Sequence, residues 1–284
     1  MNEKRQTMQI KVLVDNNTII DRYYVGEPAI SYLISDEKTK ILFDLGYSDI
    51  FIKNARQMDE SLLDLDFIVV SHGHNDHTGG LTPLIKLYSE AKTEKISYTS
   101  PSLVAHPEAF TYKEYEGDEI GSLIGREKIN KYFDVKLSRE PLWIADNIVF
   151  LGEIERGNDF ENLDPVGCCE QNGVMVDDYV NDDSAMVYKT DEGLIIITGC
   201  SHAGICNIIE HAKKVCDDDR IVDILGGFHL MNPSDIQASG TMKYFENCDI
   251  KSIHPCHCTS LKYKIELSKL TNVNEVGVGL ELQF

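Results

Sequence analysis

Ser71-His72-Gly73-His74-Asn75-Asp76-His77-Thr78-Gly79-Gly80 decides how this chain is read. Positions 72–77 hold three imidazoles and one carboxylate, groups that bind a borderline-soft divalent metal such as zinc. Directly before them, Phe67-Ile68-Val69-Val70 is a short, apolar, β-branched run that reads as a buried strand. Directly after them, Thr78-Gly79-Gly80-Leu81 reads as a tight turn into a helix. A strand fixes the backbone of such a loop, and the loop is too short to scatter its side chains. His72 and His74 alternate along extended chain, so both can point the same way. Asp76 and His77 fall where the chain turns and can address a second point, as in two-metal sites whose ions lie roughly 3.5–4 Å apart. Without a metal, so dense a polar set would be costly to bury.

Composition bounds the rest. A chain of 284 residues with 42% hydrophobic content suits one large α/β domain, or one domain with a sizeable insertion. Residues 1–9 are polar and lack the apolar core of a signal peptide. No stretch approaches the ~20 apolar residues that span a membrane. The expectation is a soluble, cytoplasmic protein with no membrane partner. A net charge of -20 argues against a nucleic-acid ligand, because phosphate contacts need clustered Lys and Arg. The 8 cysteines come without a secretory signal, so buried free thiols are expected rather than a disulfide framework. Cys256-x-Cys258 lacks the two-residue spacing of a zinc knuckle.

Along the chain, residues 9–15 read as a strand, and 30–35 with 40–44 as a hairpin feeding a helix around 49–58. Residues 66–71 form the strand that delivers the motif, and 81–91 have helical period. From 94 to 167 the pattern is less regular. It holds an expected strand at 95–99, an acidic Gly- and Tyr-rich stretch at 111–125, and strands near 134–137 and 147–151. This segment reads as an elaboration that shapes the substrate mouth, covers the sheet or makes a homodimer contact. Its Trp143 reads as core or interface. Regularity returns with a hairpin at 184–198, helices at 204–216, 234–246 and 260–270, and strands at 220–225 and 251–254. Strand-rich then β/α segments in each half suggest two sheets packed face to face with helices outside.

Three further loops carry histidine after an expected strand: Thr198-Gly199-Cys200-Ser201-His202, Gly226-Gly227-Phe228-His229 and His254-Pro255-Cys256-His257-Cys258. Only His106 and His211 fall away from such ends. The four strand ends imply a shared edge where the loops meet. His202 and His257 are read as metal ligands, and His229 as a hydrogen-bonding partner of the substrate. His254 is read as structural. Cys200 could bind or bridge as a thiolate, and Asp182 or Asp183 could supply a carboxylate.

The HxHxDH pattern of residues 72–77, preceded by a strand and followed by Thr-Gly-Gly, resembles the signature of the metallo-β-lactamase fold superfamily. Ile41-Leu42-Phe43-Asp44-Leu45-Gly46, the 198–205 loop, Gly226–Leu230 and His257-Cys258-Thr259 look like one subgroup of it. That subgroup contains a dihydropterin-linked synthase. The resemblance spans about residues 9 to 280 and is weakest over 94–167. It implies an αββα four-layer sandwich with a metal site at one edge of the two sheets. His72 and His74 would hold the first metal, and Asp76, His77 and His257 the second. Asp44 would orient the loop. Many members supply a third first-metal His between the signature and a bridging Asp, but residues 107–201 contain no histidine. The first metal must then take His202, Cys200 or a carboxylate such as Asp183, and His202 is preferred on ligand type. The subgroup often has His-Gly before the second strand, where this chain has Pro28-Ala29.

The expected function is a metal-dependent hydrolase acting on a small phosphorylated or ester-type substrate. One or two zinc ions, with manganese or iron as alternatives, would lower the pKa of a bound water towards ~7 so that it attacks as hydroxide. Asp76 would ligate and orient that water, and His229 would address the leaving group. A synthase-like transferase, with the metals clamping a departing pyrophosphate, needs the same ligands. A non-catalytic metal or ligand sensor is a further class. A di-iron redox enzyme is disfavoured, because related folds usually carry a carboxylate where His74 stands.

Overall fold

The computed structural model describes residues 8–284; most of the polar segment 1–9 lies outside the described residues. The chain opens with an antiparallel meander of β1 (Gln9–Val14), β2 (Ser31–Ser35) and β3 (Lys40–Phe43). Helix α1 (Ile50–Gln57) leads to β4 (Phe67–Val69), which pairs in parallel with β3. The single-turn α2 (Asn75–Thr78) and α3 (Leu81–Thr93) lead to β5 (Ser102–Ala105). Hairpin β6 (Lys113–Tyr115) and β7 (Asp118–Glu119), short α4 (Arg126–Ile129), β8 (Asp134–Leu137), β9 (Leu142–Ala145) and β10 (Ile148–Phe150) follow. Two hairpins come next: β11 (Cys168–Gln171) with β12 (Val174–Asp177), and β13 (Ala185–Thr190) with β14 (Gly193–Thr198). The chain ends in α5 (Ile205–Cys216), β15 (Ile221–Gly227), α6 (Asp235–Glu246), β16 (Ile250–Cys256), α7 (Leu261–Leu267) and β17 (Glu281–Gln283).

The strands make a seven-stranded sheet, β17-β1-β2-β3-β4-β5-β8, and a six-stranded sheet, β16-β15-β14-β13-β10-β9. Side-chain alternation along each strand shows how they stack. Ile41 and Phe43 of β3 and Ile195 and Ile197 of β14 share one buried cluster between the sheets. Leu42 turns the other way, onto Phe51, Leu81 and Leu84 of the first helical layer. Ile196 likewise turns outward, onto Ile205, Ile208 and Phe245 of the second. Three cores thus separate four layers, α, β, β and α, as the residue pattern implied. In α5 the apolar Ile205, Ile208, Ile209 and Ala212 recur at helical spacing and are all buried.

Two expectations need correction. The strand expected at 95–99 is irregular chain, and the strand itself is β5. Ile96 and Tyr98 are 53% and 37% exposed, so their alternation serves no sheet; the fully buried Leu103-Val104-Ala105 run pairs with β4 instead. The segment 94–167 is also not one contiguous addition. β5 and β8 extend the first sheet and β9 and β10 edge the second. Only β6 and β7 leave them, to form a separate four-stranded sheet with β11 and β12.

Strands β3, β4 and β5 run parallel, as do β14, β15 and β16. Their C-terminal ends deliver Asp44, Ser71, Gly199, Phe228 and His257 to one edge of the sandwich, which is how residues far apart in sequence meet. Among the described residues, no helix is long and apolar enough to cross a membrane.

Candidate metal centre

After β4 the chain bends at Ser71 and Gly73 and reaches His74, extended with φ -68° and ψ 152°, just before α2. The rings of His72 and His74 meet, with nitrogens 3.1 Å apart, and the turn of α2 redirects Asp76 and His77. Gly79 and Gly80 do not have positive φ; they are glycines because the turn is crowded. A Cβ at Gly79 would lie 2.3 Å from the Tyr47 carbonyl oxygen, and one at Gly80 2.1 Å from that of Leu45. Asp44, Ser201, His229 and His257, all on site loops, hold left-handed φ values between 48° and 59°. Such conformations persist only where the surroundings enforce them.

The donors fall into two clusters: His72, His74 and His202 in the first, and Asp76, His77, Cys200 and His257 in the second. Within each, one donor atom per residue lies within 4.8 Å of the others. In the first, His72 Nε2 is 3.1 Å from His74 Nδ1, and the His202 ring centroid is 4.8 Å from that of His74. In the second, His77 Nε2 is 3.2 Å from Cys200 Sγ, while Asp76 Oδ2 is 3.6 Å from His77 Nε2 and 3.3 Å from His257 Nε2. The clusters adjoin, with the His72 and His77 ring centroids 4.2 Å apart.

Asp44 connects them. Its Oδ1 accepts the Ser71 amide at 2.7 Å, and its Oδ2 accepts both Ser71 Oγ and His77 Nδ1 at 2.7 Å. Because the Ser71 hydroxyl proton goes to Asp44, Ser71 Oγ is left to accept from His72 Nδ1, 3.0 Å away. One carboxylate thereby places a proton on Nδ1 of a histidine in each cluster and turns Nε2 of each toward its cluster. Gly199 permits this approach: a Cβ there would sit 2.1 Å from Ser71 Oγ.

Ionisation differs between the clusters. Burial, then the neighbouring imidazoles, pushes His72 and His202 well below the usual histidine range. Burial lowers His74 to about 4. All three stay neutral, the form that binds a metal. At His77 burial acts the same way, but Asp76 and then Asp44 outweigh it and raise the ring to about 9. Burial opposes ionisation of Asp76, yet His77 and His257 hold its carboxyl below the usual range.

A divalent metal fits these residues. His202 has no partner for either ring nitrogen and His74 none for Nε2, though all are buried. Leaving such groups bare costs about 1–3 kcal/mol each, whereas a cation takes up a lone pair from each ring. Nitrogen with one sulfur and one carboxylate suits zinc.

The anticipated residues His72, His74, Asp76, His77, His202 and His257 are brought together. Cys200, expected at the first metal or between the two, lies with the second cluster. Asp183 is in neither: its Oδ2 accepts the Ala203 amide at 2.8 Å, and its unpartnered Oδ1 is 4.0 Å from His72 Nδ1. Asp182 is held by Lys113 and Gly73 instead. His229 stands beside His202, ring centroids 4.3 Å apart, with its Nδ1 buried and unpartnered. His254 binds Asp223 at 2.8 Å inside the sheet. His106, expected away from any strand end, closes β5 but lies off the centre, 3.3 Å from Glu153.

Several contributors had not been singled out. Asn162 holds the His202 carbonyl at 2.9 Å and is itself held by Arg156 at 2.8 Å. Asp15 accepts the His257 amide, and Asn16 accepts from His257 Nδ1, both at 3.1 Å. Only the position of Ser71, directly before the motif, carried a local signal.

Known proteins show the same frame. A family model described as the metallo-beta-lactamase superfamily matches residues 25–156. The uncharacterized protein MJ0448 of Methanocaldococcus jannaschii is 33% identical over 274 residues, which cover 95% of this chain and 98% of that protein. The 7,8-dihydropterin-6-methyl-4-(beta-D-ribofuranosyl)-aminobenzene-5'-phosphate synthase of the same organism is 29% identical over 275 residues, 91% of this chain and 90% of that one. The crystal structure of Tm1679, described as a metal-dependent hydrolase of the beta-lactamase superfamily, aligns with a TM-score of 0.80 at 29% identity, covering 97% of this chain and 98% of that one.

Proposed function

This chain belongs to the metallo-β-lactamase superfamily, and from that premise we propose that it is a zinc-dependent hydrolase of small phosphorylated or ester-type substrates. One observation carries the reading: two adjoining donor clusters with buried, unpartnered ring nitrogens. His72, His74 and His202 would hold one ion, and Asp76, His77, Cys200 and His257 the other. Two such ions supply Lewis acidity and neutralise charge developing on the substrate's oxygens.

The chain's own groups do the rest. Asp44 and Ser71 fix protons on Nδ1 of His72 and His77, so that Nε2 is the nitrogen each ring offers to a metal; at His77, raised to about 9, binding must release the Nε2 proton. Asp76, the least buried of the second cluster's side chains for which exposure bears on access, at 28% exposed, reaches the mouth and orients the attacking group. His229 Nδ1, buried and free of protein partners, binds the leaving group and can pass it a proton.

A second reading is favoured by the 29% identity to the dihydropterin-linked synthase across nine-tenths of both chains. There a carbon nucleophile would take the place of water, and metals held by the same residues would serve as a clamp for the departing pyrophosphate. Pro28-Ala29 speaks against direct transfer of that substrate.

The test is metal content of the purified protein together with turnover of bis(p-nitrophenyl) phosphate. Turnover that chelation abolishes and zinc restores is expected. A protein that carries no metal and stays inert after zinc or manganese is added would sink the hydrolase reading. Pyrophosphate release from a dihydropterin pyrophosphate without turnover of the phosphodiester would favour the synthase.

A further inference from the structure

Lys113 lies on β6 in the small sheet, outside both donor clusters, yet is 1% exposed. Its Nζ donates to Asp178 Oδ2 at 2.8 Å and to Asp182 Oδ1 at 2.7 Å. The other oxygen of Asp182 accepts the Gly73 amide at 2.7 Å. Gly73 is the residue between His72 and His74. A buried cation thus reaches, through one carboxylate, the main chain that carries two imidazoles of the first cluster.

The same region braces that loop elsewhere. The Asn75 amide donates to the Ile120 carbonyl at 2.8 Å, and His74 forms an isolated bridge with Gly121. Gly73 itself is pressed so close that a Cβ would lie 2.1 Å from the Ala109 carbonyl oxygen.

Burying one cation with two carboxylates is a weak source of net stability, because desolvation offsets most of the attraction. Removing the cation alone would leave two carboxylates uncompensated in a dry interior. Such an arrangement is better explained by the geometry it enforces. We propose that Lys113 is a positioning residue for the first cluster. It keeps Asp182 ionised and in place, and Asp182 holds Gly73 so that His72 and His74 converge on one point. The small sheet is then the brace of the metal loop. This inference rests on the reading of His72, His74 and His202 as ligands of one ion.

Cobalt(II) titration with chelator competition tests it. The second cluster contains the Cys200 thiolate, so its cobalt form carries a sulfur-to-metal charge-transfer band that the all-imidazole first cluster lacks. In Lys113→Met the first cluster is expected to lose about 10–100-fold in affinity, the range for displaced partners of metal ligands, while the second is unchanged. Lys113→Arg, which keeps the charge, is expected to recover part of the loss. Wild-type affinity and an unaltered ligand-field spectrum at the first cluster of Lys113→Met would overturn the inference, as would an equal loss at both clusters. If Lys113→Met does not fold by circular dichroism, the isosteric Asp182→Asn decides by the same ratio between clusters. Wild-type protein that takes up no cobalt would instead refute the underlying ligand assignment.

Discussion

Asp44→Asn is the most informative single substitution. Asparagine tolerates the left-handed φ of 52° at this position, so backbone strain does not confuse the result. Its carbonyl oxygen can still accept the Ser71 amide. Its amide nitrogen, however, replaces the oxygen that receives both the Ser71 hydroxyl and His77 Nδ1 at 2.7 Å. A donor now faces two donors. The Ser71 hydroxyl must accept from the new amide and turn its own proton toward His72 Nδ1, 3.0 Å away. His72 then carries its proton on Nε2, the nitrogen meant for the metal, and His77 is driven the same way. Loss of hydrogen bonds to a charged group should cost about 1.5–3 kcal/mol of stability. Metal affinity should fall about 10–100-fold in both clusters, because a partner of one ligand in each has been changed. Chelator competition measures the affinities. Nitrogen-15 NMR of the neutral His72 ring in metal-free protein reads the tautomer directly: Nδ1–H in the wild type, Nε2–H in the variant. A variant with unaltered His72 tautomer and wild-type affinity at both clusters would refute the relay.

Four further outcomes follow from the same geometry. Gly199→Ala places a Cβ 2.1 Å from Ser71 Oγ and 3.0 Å from Asp44 Oδ2, so urea denaturation should show a loss of about 1–3 kcal/mol or more, and an unchanged midpoint would contradict the packing. Cys200→Ser should weaken the second cluster roughly tenfold or more, since a hydroxyl is a poor substitute for thiolate at zinc, and leave the first intact; metal stoichiometry after dialysis checks this. His229→Gln should retain full metal content but lose about 10²–10⁴-fold in kcat, whereas metal loss would place His229 among the ligands. Chelation should lower the melting temperature, by roughly 4–5 °C per site if the ion had been present at about 100 times its dissociation constant; calorimetry with and without chelator shows whether it does.

The fold was legible because its strands announce themselves. Apolar β-branched runs such as 67–70 and 194–198 are short, buried and bounded by Gly, Asp or His. The candidate ligands were legible because each follows such a run. The strand misplaced at 95–99 shows the limit: alternation there looked like a sheet face, but pairing was decided by the buried Leu103-Val104-Ala105 run just beyond. Cys200 could not be assigned to a cluster from sequence, because which ion it faces depends on how β14 and β4 sit across the sandwich. Lys113, Asp178 and Asn162 left no signal at all. A lysine in an acidic hairpin looks solvated, and only the pairing of β6 with β11 carries it inward against Asp178 and Asp182. Ligands are recognisable by residue type, while the groups that orient them are ordinary residues made special by topology.

The most direct test of the centre is anomalous diffraction at the zinc edge from crystals of the zinc-loaded protein. Two peaks per chain are expected, one among His72, His74 and His202 and one among Asp76, His77, Cys200 and His257. An absence of peaks at this edge of the sandwich, or ions bound by other residues, would contradict the assignment.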